Sequence, residues 1–187
     1  MKELSLNILD ITENSVKAGA TLTEILIDET PDSLTLRIID NGCGMSREIL
    51  EGVENPFYTT RTTRKVGLGI PLLKMAAEQT EGSFKISSVH ESDDSENHGT
   101  EVQAVFNKNH LDYTPLGDVV SSITTLIHGH PDTDFKFRHT YGDNEVSLDT
   151  RELREQLGDE VPLNTYEVIK WVEEYLLEQY QDLEISK

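Results

Sequence analysis

Leu4, Ile8, Ile11 and Ser15 fall on one side of a helical repeat, while Asp10, Glu13, Asn14 and Lys17 form the opposite stripe. This pattern predicts an amphipathic helix over residues 3–19. The period then changes. Residues 24–28 (EILID) and the alternating Leu34, Leu36 and Ile38 read as two antiparallel strands joined at Thr30-Pro31-Asp32-Ser33. A glycine turn over residues 40–45 leads into a short helix, residues 47–53, ended by Pro56. A stretch without periodicity, read as flexible, follows over residues 55–69. Pro71 suits the first turn of a further helix, which runs to a Gly82 cap. Strands at 83–89 and 100–106 flank the acidic loop HESDDSENHG and complete an α/β unit of residues 1–107.

The remaining residues, 108–187, are punctuated differently and carry no glycine-rich loop. The pattern predicts a helix at 116–126 with Pro115 in its first turn, and a hairpin of strands 134–140 and 145–148 across Tyr141-Gly142-Asp143-Asn144. Two helices follow, opened by Asp149 with Glu152 and by Asn164 with Glu167, both at capping-box spacing. The last helix gathers Val168, Ile169, Val172, Tyr175 and Leu176 on one broad face, which must dock on something. The expectation is a small α+β region, regulatory or partner-binding in role.

Charge narrows the function classes. Sixteen Lys and Arg stand against 35 Asp and Glu, a net charge of −19, so a nucleic-acid partner would be repelled. The two stretches share that charge almost evenly, −9 for residues 1–107 and −10 for 108–187, so charge does not mark a boundary. No apolar run approaches the roughly 20 residues needed to cross a bilayer, and Glu3, Asp10 and Glu13 occupy positions a signal peptide would make basic or apolar. A cytoplasmic chain without a membrane partner is expected. The single cysteine, Cys43, has no internal disulfide partner, which fits a reducing compartment.

Four segments of the first unit suit one ligand. Asn14, one turn after Asp10, offers an amide oxygen beside a carboxylate to a hard cation such as magnesium. Asp40 stands at a strand end before Gly42 and Gly44, where a ring can lie against backbone and a carboxylate can accept from an exocyclic amine. Residues 59–65 hold four threonines, two arginines and a lysine, a cationic island suited to polyphosphate. Gly67-Leu68-Gly69 opens a helix whose free N–H groups favour phosphate. Each segment alone reads equally as a solvated face, an ordinary turn or a basic loop. Their order and spacing are what combine them.

The runs ENSVKAGAT, DNGCGM, NPFYTTR, GLGIPLLK and HGTEV resemble, in order, the ATP-binding boxes of the GHKL superfamily, which includes gyrase, histidine kinases and MutL. The resemblance covers residues 1–107 and implies a Bergerat fold, a two-layer α/β sandwich with helices on one face of a mixed sheet. It implies that Asn14 ligates magnesium and Asp40 bonds the adenine amine of ATP or ADP. Gly42, Gly44, Ala18 and Met45 would shape the adenine pocket, with Thr100 supporting Asp40 through water. Thr60, Arg61, Gly67, Leu68, Gly69 and Ile70 would form the lid and phosphate region. The short lid is similar to that of histidine kinases, whereas the first two runs look more like MutL. One departure bears on the reaction: hydrolysing members carry Glu as general base four residues before the metal Asn, kinases usually Asn, and this chain has Asp10, with Glu13 as the next candidate. Val66 also stands where kinases often have a small or hydroxyl residue. His110, before Thr114-Pro115-Leu116, is similar to a kinase phosphoacceptor box but lacks its acidic neighbour and follows the ATP domain, so it reads as a linker histidine. These features lead to the expectation of a nucleotide-dependent partner-binding regulator that hydrolyses slowly or not at all. The alternatives are phosphotransfer to a protein in trans and a weak ATPase. Among similar proteins, an association with iron-only hydrogenase subunits makes a redox protein one candidate partner.

Overall fold

The computed structural model describes residues 3–53, 68–158 and 161–182. The elements run α1 (Leu4–Lys17), β1 (Leu22–Glu29), β2 (Ser33–Asp40), α2 (Arg47–Val53), α3 (Gly69–Gln79), β3 (Ser83–Val89), β4 (Gly99–Asn107), α4 (Val119–Gly129), β5 (Asp134–Tyr141), β6 (Asn144–Asp149), α5 (Thr150–Leu157) and α6 (Tyr166–Asp182). The six strands form one mixed sheet in the order β3-β4-β2-β1-β5-β6, antiparallel except where β1 pairs with β5.

Alternation sets the two faces of this sheet. Ile25 and Ile27 of β1, Leu34, Leu36 and Ile38 of β2, Val102, Ala104 and Phe106 of β4, and Phe135 and Phe137 of β5 are all buried. They lie beneath a helix layer in which α3 covers β3 and β4, α1 covers β1 and β2, α4 meets β5, and α6 meets β6. The other face is polar. Its cross-strand ion pairs include Arg37–Glu101 at 2.8 Å, Lys136–Glu24 at 2.9 Å and Arg138–Asp28 at 3.7 Å. The result is the expected two-layer sandwich with helices on one side.

Residues 108–187 continue the sheet of residues 1–107. The whole of β5 pairs with the whole of β1, from Leu22–Asp134 to Glu29–Tyr141, and α4 packs on α1. A single apolar cluster runs from Leu4 to Leu176.

Three local expectations are corrected. Helix α4 begins at Val119, where the Asp118 carboxylate accepts the Ser121 N–H at 2.9 Å. Pro115 therefore lies ahead of the helix, its carbonyl accepting the Leu4 N–H. Second, α3 ends at Gln79, and the left-handed residue after it is Glu81 (φ 58°), not Gly82. Gly82 is required for space instead, because a Cβ there would lie 1.8 Å from the Val105 carbonyl oxygen. Third, Tyr175 is not on the docked face of α6. Val168, Val172 and Leu176 are buried, whereas Tyr175 is exposed and stacks on Trp171. Tyr175 lies four residues after Trp171, the spacing at which two side chains meet on the exposed side of the helix.

Candidate functional site

The site gathers where α1, the β2 end, the β3–β4 connection and the start of α3 meet. Asp40 is its centre. Its Oδ2 accepts the Ser15 hydroxyl at 2.7 Å, and its Oδ1 accepts the N–H groups of Gly42 at 3.0 Å and Thr100 at 3.2 Å. The carboxylate is held from three elements, half-buried rather than sealed.

The two glycines of the turn are there for different reasons. A Cβ on Gly42 would lie 3.0 Å from Ala18 Cβ and 3.2 Å from Asp40 Oδ1, so the loop sits directly on the end of α1. Gly44 has φ +68°, and a Cβ there would lie 1.9 Å from the Val89 carbonyl oxygen. The conformation and the space both demand glycine. The loop is further tied by Cys43 N–H to the Ala18 carbonyl, at 2.9 Å, and by Met45 N–H to Ser88 Oγ, at 2.8 Å.

Thr100 bonds Asp40 directly through its backbone. Its hydroxyl pairs with Ser88 Oγ at 2.9 Å. Ser88 also donates to the Gly99 carbonyl at 2.9 Å.

Along α1, Asn14 precedes the serine bonded to Asp40, and its buried Nδ2 has no partner among the described residues. The fold does not use this amide for itself. Asp10, one turn earlier, is exposed. It faces the start of α3, since a Cβ on Gly69 would lie 3.1 Å from Asp10 Cβ. Leu68 is exposed at the head of that helix, while Ile70 is buried beneath it.

Glu13 points elsewhere. Its Oε1 lies 2.6 Å from His130 Nε2, and Oε2 lies 3.7 Å from Lys17 Nζ. That contact fastens α1 to the end of α4 and commits the carboxylate there. Thr60, Arg61 and Gly67 lie outside the described residues.

Four residues of the site did not stand out in the sequence. Ser15 looked like a small residue on the buried face of α1, yet its hydroxyl is an Asp40 partner. Ser88 sits near the end of an alternating strand. Asn41 accepts the N–H groups of Thr21 and Leu22, at 2.9 and 3.0 Å, and pins the turn to the head of β1. His98 brings Nδ1 to 2.5 Å from the Gly42 carbonyl. Asn41 and His98 fall within the quoted DNGCGM and HGTEV runs, which was the available signal. Beside them, on the acidic loop, N–H groups of Glu96 and Asn97 hold the Asp94 carboxyl below its ordinary range.

Residues 2–110 match the family described as histidine kinase-, DNA gyrase B-, and HSP90-like ATPase. The chain belongs to this ATPase family. A sensor protein of Shewanella frigidimarina is 26% identical over 103 residues, 53% of this chain and 15% of the relative. Sporulation kinase C of Bacillus subtilis is 28% identical over 88 residues, 47% of this chain and 20% of the kinase. The chain therefore spans a fifth or less of these relatives' own length. Among solved structures, the N-terminal domain of a DNA repair protein superposes with a TM-score of 0.58 at 15% identity, over 80% of this chain and 53% of that one. The Aquifex aeolicus MutL ATPase domain complexed with ADP gives 0.55 at 17% identity, over 84% and 69%. At these identities the superpositions establish the fold. They cover a larger share of this chain than the family match over residues 2–110.

The residues fit an adenine nucleotide. Asp40 is a fixed acceptor beside two glycines that pack directly on Ala18 and Val89, and the buried Asn14 Nδ2 has no partner among the described residues. The start of α3 adds the N–H groups of Gly69 and Ile70, which lie too early in the helix for an i−4 partner within it, though Pro71 contributes none.

Proposed function

We propose that this ATPase-family chain is a regulatory module that binds ATP or ADP with magnesium, turns over slowly, and uses nucleotide to change the surface offered to a protein partner. The observation that carries the reading is the Asp40 carboxylate, fixed by Ser15, Gly42 and Thr100 at the mouth of the glycine turn. In this reading Asp40 accepts from the adenine amine while Gly42 and Gly44 let the ring approach the backbone. Asn14 holds magnesium, which when bound neutralises phosphate charge. The N–H groups at the head of α3, with Thr60 and Arg61, receive phosphate oxygens.

Asp10 argues for slow turnover. It occupies the position of the base but is one methylene shorter than glutamate, and Glu13 is engaged by His130. A calorimetric titration with magnesium-ATP, magnesium-ADP and magnesium-GTP tests binding. Micromolar binding of both adenine nucleotides with no GTP binding is expected, and equal heats for ATP and GTP would overturn the adenine assignment.

Phosphotransfer in trans is the second reading, favoured by the kinase and sensor relatives of this domain. Incubation with γ-labelled ATP and cell extract separates the two. Label that stays in ATP supports the binding module, and label moving to a protein supports the kinase.

A further inference from the structure

Far from Asp40, at the β6 edge of the sheet, a cavity of about 220 Å³ opens between β6, α5 and α6. Its α6 wall is an aromatic shelf. Trp171 and Tyr175 stack at 4.9 Å with their planes 11° apart, and both remain exposed, at 46% and 37%. Stacking uses one face of each ring and leaves the other open. Leaving two large rings at the surface forgoes burial that the adjacent Val172 and Leu176 obtain fully.

The charges of the lining are unequally matched. Lys136 is bonded to Glu24 at 2.9 Å, and Arg138 lies 3.7 Å from Asp28, both partners being β1 residues outside the cavity. The Nε of Arg138 has no partner among the described residues but is sealed from solvent, so a ligand entering the cavity does not meet it. Glu145 and Glu152, by contrast, are exposed and carry no hydrogen bond or ion pair among the described residues. Two unmatched carboxylates beside an open aromatic stack make a site for a cation: the ring quadrupoles attract it and the carboxylates supply the charge. The surrounding α6 surface, with Glu173 and Glu178 exposed beside the Lys170–Glu174 pair at 3.6 Å, extends the same sign. The −19 chain would draw a basic segment toward it.

The geometry points to a docking site for a basic segment of a partner protein, whose arginine or lysine side chain enters this cavity against Trp171 and Tyr175 and pairs with Glu145 and Glu152. The site is independent of the nucleotide. Addition of a strand to β6 is not the mode of docking, because Gln179 already occupies the outward backbone of Ser147, accepting its N–H at 3.0 Å and donating to its carbonyl at 3.1 Å.

Trp171 is the only tryptophan of the chain, so its fluorescence reports the cavity directly. The probe is a short capped peptide with two arginines spaced by glycines, titrated into the full chain without nucleotide, beside the same peptide carrying glutamine or glutamate. A saturable change with the arginine peptide alone is expected. The Glu145→Gln/Glu152→Gln double variant should weaken it about fivefold or more, and Tyr175→Ala roughly threefold. The control is Glu91→Gln/Glu96→Gln on the remote acidic loop, which removes the same charge and should leave the affinity unchanged. An equal loss in that control would reduce the effect to net charge and overturn the site. So would equal binding of the glutamine or glutamate peptide.

Discussion

Asp40 accepts three hydrogen bonds, so Asp40→Asn exchanges one acceptor oxygen for an amide that faces a donor. The unsatisfied group costs roughly 1–3 kcal/mol. Nucleotide affinity should therefore fall about tenfold or more, with loss of the preference for ATP over GTP by calorimetry, and retained preference would remove Asp40 from the adenine pocket. Gly44→Ala acts on the loop instead. Its φ of +68° and a Cβ 1.9 Å from the Val89 carbonyl force the turn to move, so nucleotide affinity should drop while α1 and the sheet stay folded by circular dichroism. Turnover is decided by reach. A general base works within about 2.6–3.2 Å of its water, and misplacement by about 1 Å costs roughly a hundredfold. Asp10→Glu should raise ATP hydrolysis well above wild type and Asp10→Asn should not; brisk wild-type turnover matched by Asp10→Asn would end the assignment. Asp10, Asn14, Asp40 and the glycines were legible because each chemistry confines them to a few residue types at fixed spacing. Ser15 and Ser88 were not, since a hydroxyl on a buried face reads as a small filler until its partner, 25 residues away for Ser15, is brought to it.

Among the elements, α6 is held by more than its apolar stripe. At the end of the sheet remote from Asp40, His139 is fully buried between Glu29, 2.9 Å from Nε2, and Tyr180, 2.8 Å from Nδ1. A carboxylate can only accept, so Nε2 carries a proton toward Glu29, while Nδ1 pairs with the Tyr180 hydroxyl. Lys108 completes the network, 2.6 Å from Glu29 and 5.5 Å over the Tyr141 ring. Burial works to raise the Glu29 carboxyl, but hydrogen bonds from His139 and Lys108 outweigh it and hold the group below its ordinary 4.5. The nearby Tyr113 hydroxyl is pushed up to about 12 by its own burial and by Glu29. Because the folded value of Glu29 is the lower one, its stabilisation is complete above about pH 4.5 and is lost as pH falls through the folded value. Urea unfolding followed from pH 7 to pH 3 should show this loss. Glu29→Gln should be less stable by about 3 kcal/mol at neutral pH, since it leaves Lys108 and His139 uncompensated, and should flatten the acid limb. An unchanged acid limb would exclude Glu29 as its source. Periodicity made the helices and strands legible, including the hairpin of β5 and β6. It could not show this network, because Glu29 and His139 meet through the pairing of β1 with β5, while Lys108 arrives from the end of β4 and Tyr180 from α6.

That pairing governs the whole molecule. Read along the chain, residues 108–187 look like an appendix to the family unit, because the glycine-rich boxes end before them and nothing in local pattern reports a parallel strand partner more than 100 residues away. In space the order β3-β4-β2-β1-β5-β6 makes β1 an interior strand. A fragment of residues 1–110 would turn β1 into an edge, exposing an eight-residue row of backbone donors and acceptors. It would also lose the layer that α4 contributes beside α1, where the buried Ser122 hydroxyl donates to the Ser5 carbonyl at 3.1 Å and Glu13 meets His130. Val120, Ile123 and Ile127 of α4 belong to the same apolar cluster as Leu4 and Ile8 of α1, and burial of side chains of this size contributes about 1.5–3 kcal/mol each. Loss of several such contacts is comparable to the entire stability of a domain, about 5–15 kcal/mol. The fragment should therefore bind a hydrophobic dye, show weak near-ultraviolet dichroism and associate with itself, even though it contains Asn14, Asp40 and every glycine of the site. Nucleotide binding by that fragment should be weaker than by the full chain by two orders of magnitude or more, roughly the factor that 3 kcal/mol represents. A monomeric fragment with cooperative unfolding and full-chain affinity for magnesium-ADP would show instead that β5, β6 and α4 are dispensable and that the site is built by residues 1–110 alone.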